Sequence, residues 1–269
     1  MTTFQNVVLS IIYSFTEFLP LSANTHINFV PQFLEWQSVT HSFLTAITLG
    51  ALLALIIYFR HDFASLFSAF LQVLIYRKKP MAMDERLPWY LLITFLPYFI
   101  ASHYITQYFD FLLENKFYIS SSLVSFTILL WISDHFTKKQ KEMFDWTIWD
   151  CLWVGLVQIL TLIYGCELLC STLIGCLSRG YKRSVALKFS YFAAVPVLLF
   201  RLISYYKELN LQTDWNGWNF AIIAIVTCIS GIFILSSFIK QIEQQGLKSL
   251  LYYRIIFALG CFAFLWLKI

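Results

Sequence analysis

Between Tyr13 and His26 the chain reads Y-S-F-T-E-F-L-P-L-S-A-N-T-H, and this stretch breaks an otherwise apolar segment with a carboxylate, a proline, a hydroxyl and an imidazole. Ionisable side chains at membrane depth are costly unless they face a cavity or a partner, so such a cluster marks a functional site. Pro20 has no backbone N–H to donate, and it disfavours helix at Leu19. Irregular backbone is tolerated inside a bilayer only where protein or water covers it. The stretch therefore predicts a re-entrant loop carrying Glu17, Ser22 and His26. The plainer alternative is a kinked spanning helix with a hydrogen-bonded Glu17.

Hydrophobic residues make up 59% of the 269-residue chain and charged residues only 13%, with a mean hydropathy of +0.69. Soluble domains carry roughly twice that share of charge, so the expected class is an all-α, polytopic membrane protein. A net charge of +4 implies no nucleic-acid partner. The first residues, from Met1 to Thr16, have neither a basic n-region nor a small-residue cleavage site, so no cleavable signal fits them. Cysteines 151, 166, 170, 176, 228 and 261 form no C-x-x-C pair and lie in apolar context, which predicts small buried hydrophobes rather than disulfides or ligands.

Apolar runs near the bilayer-spanning length of about 20 residues fall at 41–60, 88–108, 117–135, 185–206, 217–239 and 249–267. A second apolar stretch, 148–178, is interrupted around Glu167 much as the first is at Pro20. The short segment 62–76 reads as an interfacial helix or a tilted end of the preceding span. Basic residues alternate between loops: Arg60, Arg77, Lys78, Lys79 and Arg86, then Lys138, Lys139 and Lys141, then Arg179, Lys182 and Arg183, then Lys240 and Lys248. The intervening loops hold none at 20–40, Lys116 alone at 109–116 and Lys207 alone at 207–216. By the positive-inside rule the first re-entrant element enters from outside and the second from inside. Each is followed by three spans, so one membrane domain over 1–269 contains two inverted repeats, about 1–140 and about 145–269. A faint match between F-L-T-A-I-T-L-G at 43–50 and F-S-Y-F-A-A-V-P at 189–196 accords with the repeat.

With both broken stretches in hand, the chain resembles the bacterial undecaprenyl-pyrophosphate phosphatase family nearly end to end. The family's first motif, E-G-L-T-E-F-L-P-V-S-S-T-G-H, is matched at 13–26. Its second block, P-G-F-S-R-S-G-A-T, aligns without gaps to Tyr164-Gly165-Cys166-Glu167-Leu168-Leu169-Cys170-Ser171-Thr172. Gly180 to Arg183, Phe189 to Pro196, and the pair Tyr253-Arg254 continue the likeness. The resemblance implies six spans and two re-entrant hairpins meeting in a cleft. There a polyprenyl (pyro)phosphate lipid carrier of cell-wall synthesis is bound, and its diphosphate is hydrolysed to the monophosphate. It implies the bacterial cytoplasmic (inner) membrane, with a homodimer as one assembly. On these positions Glu17 and His26 are the expected catalytic residues, and Ser22, Asn24, Gly165, Thr172 and Arg254 the expected substrate contacts.

The departures fall on the chemistry. The family's first carboxylate is Tyr13 here, its second serine Ala23, the glycine before the histidine Thr25, and its Ser-Arg-Ser has become Glu167-Leu168-Leu169. Phosphoryl transfer depends on positioning and charge neutralisation, so losing the arginine removes the bidentate phosphate clamp. Glu17 and Glu167, with His26 alongside, are the candidate ligands of a divalent cation, Mg²⁺ or Ca²⁺, that would restore positive charge. The same pair also suits a proton relay in a translocase, and a non-catalytic lipid-phosphate carrier or pseudoenzyme is the alternative function. Ser22 and Thr172 serve either as phosphate donors or to satisfy broken-helix backbone. Arg201 and Arg254 lie deep in their spans, and Arg254 either reaches the cleft or pairs with a buried acid.

Overall fold

Helix α1, Thr3–Phe18, opens with a reciprocal cap in which the Thr2 hydroxyl accepts from the Gln5 N–H and the Gln5 side chain accepts from the Thr2 N–H. It ends because Leu19, held by Pro20, is extended at φ −117°, ψ 151°. Ser22 then adopts a left-handed conformation at φ 75°, and α2, Ala23–Phe33, starts from it. In this computed structural model, which describes residues 1–113, 116–209 and 217–267, the first apolar segment is thus a helical hairpin with a broken tip.

The remaining helices are α3 (His41–Tyr58), α4 (Arg60–Ile75), α5 (Met83–Leu113), α6 (Lys116–Phe136), α7 (Ile148–Gln158), α8 (Leu168–Ser178), α9 (Arg183–Leu209), α10 (Gly217–Gln245) and α11 (Lys248–Leu267). Between α7 and α8 a 3₁₀ turn, Ile159–Leu162, and Gly165 at φ +94° form the second broken tip. The only β geometry among the described residues is an isolated bridge between Lys141 and Tyr181. The expected loops 109–116 and 207–216 lie partly outside the described residues, at 114–115 and 210–216.

Among the described residues, five segments are long and apolar enough to cross a membrane: His41–Tyr58, Phe117–Phe136, Arg183–Glu208, Gly217–Ile239 and Lys248–Leu267. The expected span 88–108 lies within α5, whose 31 residues would reach past a hydrocarbon core of about 30 Å. Exposed apolar side chains recur at helical spacing, as in Ile225, Ile229 and Phe233 on α10 and Tyr252, Ile256 and Leu259 on α11. Stripes of that size are untenable in water and suit lipid. The segment 62–76 falls in a separate helix, α4, which buries only Leu66 and Val73 and exposes Phe67, Leu74 and Ile75. All six cysteines are free thiols, five of them buried.

Packing partners exchange between the two halves. Helix α1 lies on α10 and α7 on α5; α3 meets α10 while α9 meets α5; α3 packs on α9 and α6 on α11. These pairs map onto one another when the halves are swapped, whereas the close packing of α8 on α9 and α6 has no equivalent at α2. Close helix approach needs small residues where lipid gives no hydrophobic drive. Gly50 supplies one, since a Cβ there would stand 2.5 Å from the Ala224 carbonyl of α10.

The basic end is tied by buried carboxylates. Asp150, fully buried, accepts from Arg179 Nε at 2.6 Å, Thr147 Oγ1 at 2.8 Å and Tyr181 OH at 2.9 Å. Asp134 holds the Arg183 fork at 2.7 and 2.9 Å. This cross-bracing anchors the open end of the second hairpin, so its tip can be positioned from below.

Candidate functional site

The two broken tips meet at Arg254 of α11. Its Nη1 donates to the Pro20 carbonyl at 2.6 Å, Nη2 to the Gly165 carbonyl at 2.8 Å, and Nε to Thr127 Oγ1 at 2.8 Å. The side chain is fully buried. Chain breaks inside a membrane protein strand carbonyls that water cannot reach, and one guanidinium satisfies a stranded carbonyl from each loop. Each of its three nitrogens is thereby engaged, so Arg254 joins the loops instead of reaching into a cleft.

Beside this junction lies a charged trio. Arg201 of α9 places Nη1 at 3.2 Å from Glu167 Oε1 and 3.9 Å from Glu17 Oε1. Glu167 Oε2 also accepts from the Asn24 N–H at 3.0 Å, capping α2 across the hairpin interface. Tyr13, one turn before Glu17, lies beside it, and Tyr98 and Tyr205 flank the guanidinium. The other Glu17 oxygen, Oε2, is buried with no hydrogen-bond partner among the described residues. A cavity of about 10 Å³ touches Glu17, Leu168 and Leu169, barely the volume of one water.

The structure therefore brings Glu17 and Glu167 together but does not bring His26 alongside them. His26 and Asn24 are two residues apart on α2, about 200° around a helix of 3.6 residues per turn, so the ring turns toward α11. Its Nδ1 lies 2.9 Å from the Ser22 carbonyl and its Nε2 2.9 Å from the Tyr253 hydroxyl, and it stacks on Phe257 with centroids 3.8 Å apart. A carbonyl can only accept, so Nδ1 carries the proton in the neutral ring, and Nε2 accepts from Tyr253.

The expected hydroxyl donors are occupied within their own loops. Ser22 Oγ pairs with Thr25 Oγ1 at 2.8 Å, and Thr172 Oγ1 donates to the Leu168 carbonyl at 2.7 Å. Gly165 is there for its backbone: at its positive φ, a Cβ would meet Ser122 Oγ at 2.5 Å and Leu123 N at 2.7 Å. Asn24 is half-buried, and its side-chain amide enters no hydrogen bond among the described residues.

The donor set does not fit a divalent cation. A guanidinium already bridges the two carboxylates, both ring nitrogens of His26 are engaged, and no cluster of three metal-ligating side chains occurs among the described residues. Arg201 is the residue that motif reading passed over. Its signal was an arginine inside an apolar run, flanked by Leu199-Phe200 and Leu202-Ile203.

Fold and site together define a class: a polytopic helical membrane protein whose two broken helices meet at a buried charged site. The chain belongs to the family described as bacitracin resistance protein BacA, which matches residues 6–260. One relative, Undecaprenyl-diphosphatase 1 of Pseudoalteromonas translucida (strain TAC 125), is 27% identical over 266 residues, covering 98% of this chain and 99% of its own. The likeness read from the two motifs is borne out, as are the all-α fold and the multi-pass membrane character.

Proposed function

We propose that this chain binds the (pyro)phosphate head of a polyprenyl lipid carrier between its two broken tips, in the bacterial cytoplasmic membrane, and hydrolyses the diphosphate to monophosphate and phosphate. The observation that carries this reading is the convergence of Glu17, Glu167 and Arg201 where the loops meet, and the name of the relative supports it. Arg201 neutralises phosphate charge. Glu17 Oε2, free of partners among the described residues, takes the proton of the attacking water as the bond from the terminal phosphorus to the bridging oxygen breaks. His26 Nε2 becomes a second proton acceptor when Tyr253 releases it. With Arg201 between the carboxylates, no step is routed through a metal.

The second reading, a non-hydrolysing homologue that acts as a lipid-phosphate translocase or pseudoenzyme, has its own observation. Leu168 and Leu169 are buried where the resembling family has its arginine and second serine. The test is phosphate release from a long-chain polyprenyl diphosphate by the purified protein, with and without Mg²⁺ or Ca²⁺, beside Glu17→Ala and His26→Ala. Release lost in both variants supports the assignment, and release surviving both removes it. Lipid bound without release selects the second reading.

A further inference from the structure

The Glu167 carboxylate is held the way a bound phosphate would be. One oxygen accepts from the Asn24 N–H at the start of α2, and the other from Arg201 Nη1. A helix N-terminus joined to an arginine is a recurrent anion receptor; here the occupant belongs to the chain. Other features of the same spot point to a ligand. The Arg201 side chain is 13% exposed against 1% for Glu167, and among the described residues only its Nη1 is hydrogen-bonded. Among the described residues the Asn24 side-chain amide makes no hydrogen bond, and the buried Glu17 Oε2 accepts none although its carboxylate faces the same guanidinium. Two carboxylates facing one guanidinium are more than a brace needs. A serine, which the resembling family carries at this position, would leave the receptor empty.

We propose that the Asn24 N–H and Arg201 form the receptor for the lipid phosphate, and that Glu167 is its internal competitor, which must swing away as the phosphate enters. This rests on the reading that the ligand is a polyprenyl (pyro)phosphate, and it adds the backbone donor at Asn24 and the internal competitor Glu167. The Glu167 carboxylate, standing where the ligand binds, repels a more highly charged head more strongly. Removing the competitor is therefore expected to help the diphosphate more than the monophosphate.

The probes are farnesyl phosphate, farnesyl diphosphate and inorganic phosphate, titrated calorimetrically into the full chain in nanodiscs. The chains are wild type, Glu167→Gln, Glu167→Ser and Arg201→Gln, the two Glu167 variants guarding against a fold-specific failure of either. Removing one charge from within roughly 4 Å of a phosphate is expected to tighten binding about tenfold to a hundredfold. Both Glu167 variants should show that gain, larger for the diphosphate, and Arg201→Gln should lose at least about tenfold. Wild-type binding that neither Glu167 variant improves overturns the proposal while the functional reading stands, and binding that Arg201→Gln leaves intact overturns both. Failure of every chain to bind either farnesyl compound overturns both. Inorganic phosphate binding as tightly as farnesyl phosphate overturns the lipid-head assignment.

Discussion

Replacing Arg254 with methionine keeps much of the buried volume and removes the guanidinium that joins both broken tips to α11 and, through Thr127, to α6. Three hydrogen bonds are lost, to Pro20 O, Gly165 O and Thr127 Oγ1. A hydrogen bond from a charged donor is worth about 1.5–3 kcal/mol, and a buried carbonyl left unpaired costs about 1–3 kcal/mol. Against this, the substitution relieves the desolvation of a guanidinium that has no carboxylate partner among the described residues, which offsets part of the loss. The net expectation is that the loops open more easily by about 3 kcal/mol. At about 1.4 kcal/mol per factor of ten, amide hydrogen exchange over 19–25 and 163–168 should quicken roughly a hundredfold. Exchange near Asp150, held by a separate network, should stay as in the wild type. Arg254→Lys should recover only part of the protection, because an ammonium cannot span three acceptors in fork geometry. A folded Arg254→Met protein with unchanged loop exchange would refute the claim that this residue holds the tips together.

Gly165→Ala forces a side chain into a left-handed backbone and against Leu123 N; a loss of about 2–4 kcal/mol is expected, read as a lower thermal midpoint by tryptophan fluorescence. Asp150→Asn removes the charge that Arg179 and Lys141 share, but those side chains are 42% and 34% exposed, so solvent screening limits the expected loss to about 1–3 kcal/mol. Its midpoint should drop less when salt is already high. Gln158 is fully buried with neither amide atom hydrogen-bonded among the described residues; Gln158→Met should therefore raise the midpoint, by roughly 2–4 °C per kcal/mol gained. A lower midpoint would show that the amide has a partner worth keeping.

Local chemistry made the two breaks legible. Pro20 disfavours helix at Leu19, and a glutamate in an apolar run has few tolerable settings, so Glu17 and Glu167 announced themselves. Where side chains point after a break is set by backbone geometry that no motif states. Ser22 turns left-handed, and that rotation decides that the Asn24 N–H meets Glu167 while His26 faces Tyr253 and Phe257. The two deep arginines show the same limit. Both stood out as costly, yet only the register of α9 and α11 against the tips assigns one to carbonyls and the other to carboxylates. An arginine missing from the second loop therefore does not mean a site without a guanidinium. A packed bundle presents to one point side chains from helices far apart in sequence, and α9 supplies at Arg201 what the loop at Leu168 no longer carries.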